Sequence, residues 1–88
     1  MPDGNVKSFE KEAFRKRLTA LAAADSISDA DFADVIYVSV THYGVAEDDF
    51  RDTFGMTRGA IERWMTMRNL PQPMVRAKII RWVEEHIH

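Results

Sequence analysis

The chain has 88 residues, enough for one small domain, and 45% of them are hydrophobic, which excludes a chain too polar to form a core. It has no cysteine, which excludes a disulfide frame and a cysteine-ligated metal. The net charge is −2 but unevenly spread: residues 1–50 hold five Lys/Arg against ten Asp/Glu, a net of −5, and residues 51–88 hold seven against four, a net of +3.

Met1 to Lys7 is polar, with Pro2 and Gly4, and is expected to be a frayed tail. Ser8 can cap a first helix over 8–24. Phe9, Ala13, Phe14, Leu18, Leu21 and Ala22 give that helix an apolar face at helical spacing. Lys11, Arg15, Lys16 and Arg17 read as solvated charges. The apolar face can be buried within the chain or between chains. This divides the chain into a tail with an amphipathic helix, 1–26, and a second unit, 27–88.

Ser28 is a strong N-cap, with Asp31 at the third helical position. Ile27 before it and Phe32 after it can close as a hydrophobic staple. A helix over 28–43 follows, with Phe32, Val35, Ile36, Val40 and Tyr43 on its buried face. The run Val35 to Val40 is β-rich by propensity. The cap and staple nevertheless favour helix, and no second strand is evident to pair with it. Gly44 ends the element. His42 reads as a surface residue, favourable near a helix C-terminus.

Helices are then expected over 47–54 and 57–67. Phe50 and Phe54 share one face, and Gly55 sits where a helix end wants a positive φ. Thr57 reads as the N-cap of the next helix, whose Ile61 and Trp64 face back onto Phe50 and Phe54. Pro71 and Pro73 restrict the linker beyond, and Pro73 suits the start of a last helix over 73–87. Val75, Ile79, Trp82, Val83 and Ile87 form its apolar stripe. The expected core includes Phe32, Ile36, Phe50, Phe54, Ile61, Trp64, Ile79 and Val83. His86 and His88 fit no zinc spacing and read as solvated. No nucleophile–base pair, glycine-rich phosphate loop or carboxylate pair can be assembled, so the chain is not expected to be an enzyme or to need a cofactor or metal. No run approaches about 18 apolar residues, and no signal-peptide core opens the chain. The expectation is a soluble, cytoplasmic protein with no membrane partner.

Two amphipathic helices around a glycine turn make a helix-turn-helix. The run Phe50, Phe54, Gly55, Met56, Thr57, Arg58, Ile61, Arg63 and Trp64 resembles the lambda-repressor-like family, also called the xenobiotic-response-element type. The proline before the last helix, within Leu70 to Pro73, fits the family layout too. The chain departs from the pattern at Arg51, where the family usually has Ala. It departs again at Glu47-Asp48-Asp49, where the family commonly has a Gln facing a DNA phosphate. The resemblance implies an all-α, five-helix, lambda-repressor-like helix-turn-helix domain with an extra N-terminal helix.

The implied function is sequence-specific binding of double-stranded DNA by a small transcriptional regulator, acting as a homodimer. The helix over 57–67 would enter the major groove. Thr57, Arg58, Gly59, Ala60, Glu62 and Arg63 would face out, with Arg68 just beyond. Arg58 is the first candidate for base readout, through a bidentate contact to guanine. Gly59 and Ala60 are small enough for close approach, and Ala60 can touch a thymine methyl. Glu62 can accept from cytosine or pair with Arg58. Thr57, Arg63 and Arg68 are candidate phosphate contacts. Each arginine also has a plainer role as a solvated charge, which is the expectation for Arg76 and Arg81, and for Arg68 taken by itself. The alternative is a non-enzymatic protein–protein interaction module that keeps the same frame. The acidic run 47–49 and the negative net charge favour that alternative.

Overall fold

The computed structural model describes residues 2–87, with side chains from Glu10 onward. Among these residues the chain is all-α. Five helices follow in order: α1 (Pro2–Ala23), α2 (Asp29–His42), α3 (Glu47–Phe54), α4 (Ala60–Met65) and α5 (Pro73–His86).

α1 starts six residues earlier than the Ser8 cap predicts. A proline at the first helical position has no N–H to leave unpaired, and its φ is already helical. Ser8 therefore lies inside the helix rather than at its start. Phe14, Leu18 and Ala22, four residues apart, form the buried seam, with Leu21 beside them. Ala13 is exposed. The side chain of Phe9 lies outside the described residues.

The seam packs against both α2 and α5. Phe14 stacks on Tyr43, with ring centroids 4.8 Å apart and planes 9° off parallel. Arg17 pairs with Asp34 at 2.7 Å and with Asp31 at 3.6 Å. α1 and α5 run antiparallel, and each holds the far end of the other. Arg15 donates to the Glu84 carbonyl at 3.0 Å, and Arg81 donates to the Ala22 carbonyl at 3.3 Å. Those carbonyls belong to the last turns of their helices, which leave acceptors free. Neither arginine is simply a solvated charge.

α2 begins as its cap residues require. The Ser28 hydroxyl accepts from the Asp31 amide at 3.1 Å, and Ile27 and Phe32 are both buried. The β-rich run 35–40 is helical. Its preference is overridden because Phe32, Val35, Ile36 and Ser39 share one face and all are buried. Ser39 holds its hydroxyl in that apolar setting by donating to the Val35 carbonyl at 2.6 Å. Val40 and Tyr43 sit at the edge of the stripe, half-buried.

One core joins all five helices. Its aromatic centre is Phe32, Phe50, Trp64 and Trp82. Phe32 meets Trp64 edge-on at 5.4 Å, and Phe50 lies 4.7 Å from Trp82. Phe54 is half-buried against Trp82 rather than closed off. His86 stacks on Trp82 at 4.1 Å and its Nδ1–H donates to the Trp82 carbonyl, so it is not freely solvated. His88 lies outside the described residues.

The stripe on α5 differs from expectation at its start. Val75 is 44% exposed, and the buried neighbour is Arg76, at 6%. Nε of Arg76 donates to the Pro71 carbonyl at 2.9 Å. Its Nη1 donates to the Ile27 carbonyl at 2.9 Å and to Asp29 Oδ1 at 2.8 Å. The guanidinium also sits 5.8 Å from the Phe32 ring centroid. A buried charge needs hydrogen-bond partners, and here Nε and Nη1 find three of them near the starts of α2 and α5. Among the described residues no helix is long and apolar enough to cross a membrane.

Candidate nucleic-acid interface

The segment 55–69 is set by four positions with positive φ. Gly55 ends α3 at φ 63°, and the Met56 amide returns to the Arg51 carbonyl at 3.2 Å. Gly59 opens α4 at φ 84°, a conformation that side-chain-bearing residues rarely adopt. α4 then closes with Met67 at φ 60°. The Met67 amide donates to the Trp64 carbonyl at 3.1 Å, and the Arg68 amide donates to the Arg63 carbonyl at 2.6 Å. This is a Schellman closure with a methionine where glycine is usual. Asn69 follows at φ 47°.

α4 is therefore shorter than the predicted 57–67 at both ends. Thr57 is not its N-cap. The Ala60 amide donates to the Thr57 carbonyl at 3.2 Å, and Gly59 takes the capping position. Both residues carry start signals, and glycine wins because it alone reaches this φ cheaply. Arg58 consequently lies in the turn ahead of the helix, not within its first turn.

Ile61 and Trp64 are buried, as their spacing predicts, and this fixes which side of α4 faces out. Thr57, Arg58, Gly59, Glu62 and Arg68 are exposed, while Ala60 and Arg63 are half-buried. Among the described residues Arg58 and Arg68 enter no ion pair, and the Arg58–Glu62 pair is not formed. Arg63 folds back: its Nη2 donates to the Thr57 hydroxyl at 3.2 Å.

Arg58 and Gly59 border a polar cleft of about 160 Å³ together with Glu47, Arg51 and Ile61. The cleft joins the starts of α3 and α4. Arg51 leans out to pair with Asp48 within α3. That pairing resolves how a long side chain stands where a small one is usual, and it offsets one of the acidic charges of that turn. Glu47, Asp48, Asp49 and Asp52 are all exposed on α3. Among the described residues no group of three or more His, Asp or Glu is placed to hold a metal ion. The chain matches no protein-family model, no curated protein and no solved structure.

Proposed function

We propose that this protein is a sequence-specific DNA-binding regulator of the lambda-repressor-like kind. The outward side of residues 57–68 would read the major groove. The observation that carries the reading is the pairing of anchor and free cation. Ile61 and Trp64 lock α4 into the core, while Arg58, in the turn just ahead of it, stands exposed at the edge of the cleft between α3 and α4 and enters no ion pair among the described residues. A guanidinium held on a fixed frame is what bidentate guanine readout requires. Arg68 stands at the other end of α4 as a phosphate contact. Thr57 keeps its hydroxyl proton free to donate to a second phosphate, since the oxygen accepts from Arg63. Glu62 and Ala60 border the same surface and supply discrimination rather than affinity. The reading calls for no cofactor.

Titration of preferred and scrambled duplexes at several salt concentrations tests it. Arg58→Ala should lose on the order of 1–3 kcal/mol on the preferred site and relax preference at one base position. Arg68→Ala should weaken all sequences alike and make the salt slope shallower by about one. Unchanged preference in Arg58→Ala removes the readout role. A wild-type protein that ignores DNA at low salt shifts the function to protein–protein interaction, where the acidic start of α3 would be the contact surface.

A further inference from the structure

We infer that Arg63 is a positioning residue that braces the turn presenting Arg58, rather than a phosphate contact. The consequence for recognition rests on the DNA-binding reading; the brace itself does not. Three contacts converge on this one residue. Its Nη2 donates to the Thr57 hydroxyl at 3.2 Å. Its amide donates to the Gly59 carbonyl at 3.1 Å. Its Nη1 lies 3.4 Å from where a Cβ on Gly59 would stand, so the guanidinium lies along the bare face of that glycine. Arg63 thus touches both residues flanking Arg58, one by side chain and one by backbone and side chain. Gly59 supplies the φ of 84° that starts α4, and a Cβ there would stand at ordinary contact distance from the guanidinium. Among the described residues the turn has one other hydrogen bond, the Ala60 amide to the Thr57 carbonyl at 3.2 Å. Without the side-chain brace, that bond and the Arg63 amide bond to Gly59 would have to hold the direction of Arg58.

A phosphate contact and a brace make opposite demands on Thr57. A phosphate-bound Arg63 has no use for the Thr57 hydroxyl. A bracing Arg63 loses its acceptor in Thr57→Val, which keeps the side-chain shape. Amide hydrogen exchange of the free protein reads the brace without DNA. Thr57→Val and Arg63→Ala should each speed exchange at Ala60 and Arg63 by roughly three- to tenfold, the equivalent of one modest hydrogen bond. The double variant should go little further than either single one. Arg63→Lys keeps the charge but not the planar fork, so it should exchange as fast as Arg63→Ala. Unchanged exchange in Thr57→Val overturns the brace. On DNA, Thr57→Val and Arg63→Ala should reduce the preferred-to-scrambled ratio by similar factors, with the Thr57→Val salt slope at its wild-type value. A slope shallower by about one in Arg63→Ala, with Thr57→Val silent, overturns the brace and returns Arg63 to phosphate. If the wild-type protein binds no DNA, the proposed function falls, and the exchange rates still decide the brace.

Discussion

Arg76 shows how far a single side chain can organise the molecule. It is 6% exposed, and its three hydrogen bonds tie the linker at Pro71, the staple at Ile27 and the first turn of α2 together. Asp29, its charged partner, is 66% exposed, so the ion pair itself contributes little. The two carbonyls matter more, because they lie where water does not easily replace the guanidinium. Arg76→Ala should therefore destabilise by on the order of 2–4 kcal/mol, whereas Asp29→Ala should cost about 1 kcal/mol or less. Arg76→Lys should not restore the loss, since an ammonium cannot span the same acceptors. Urea unfolding of the three variants checks this ordering, and equal losses for Arg76→Ala and Asp29→Ala would refute it. None of it was legible in the sequence. Val75 continues the apolar spacing better than Arg76 does. The acceptors come from residues 27 and 71, whose proximity exists only in the folded chain. Ser28 is the opposite case: its cap, its Asp31 partner and its staple lie within six residues, so local chemistry was enough to place the start of α2.

At the scale of elements, α4 carries an avoidable cost. Its closure holds Met67 at φ 60° with the side chain 56% exposed, so the methionine accepts the left-handed region without repayment from burial. Met67→Gly should stabilise the fold by up to about 1 kcal/mol, read as a higher Tm, with the Trp64 environment unchanged. A lower Tm would show that the exposed side chain packs usefully. Helix α1 poses the larger question, because its spacing left open whether its apolar face is buried within the chain or between chains. In the fold, Phe14, Leu18 and Ala22 complete the common core, and arginines tie α1 to α2 and α5. Burying a Phe or Leu side chain contributes about 1.5–3 kcal/mol, a large share of the ~5–15 kcal/mol that holds a domain together. A chain beginning at Ile27 should thus show no cooperative thermal transition. The apolar face of α1 was readable from sequence. Its partner was not, because a stripe of this kind fits an intramolecular or an intermolecular neighbour equally well.

At the scale of the whole molecule, the fold bears on how a small regulator would engage DNA. One helix of six residues, Ala60–Met65, with Arg58 ahead of it, spans few base pairs. If the proposed DNA-binding function holds, specific sites would call for two copies, with their reading segments roughly 34 Å apart on successive major grooves. The molecule measures 42 × 28 × 20 Å, so two copies side by side can meet that spacing without a linker. From Phe14 to Ala22 the apolar face of α1 is spent within the chain, on α2 and α5. Of the exposed large apolar side chains among the described residues, Tyr37, Met67, Met74 and Val75, the last two lie side by side in the first turn of α5, with Met74 89% exposed. A dimer built there should assemble weakly in free solution, because two such residues bury little area, and firmly on a two-half-site duplex, where the DNA supplies the second attachment. Met74→Glu should leave the unfolding transition in place, since that side chain touches almost nothing. It should also cut binding to the paired site toward that of a single half-site. Sedimentation on duplexes with one and two half-sites separates the outcomes. A monomer on both duplexes, unaffected by Met74→Glu, would mean that each copy reads its site alone.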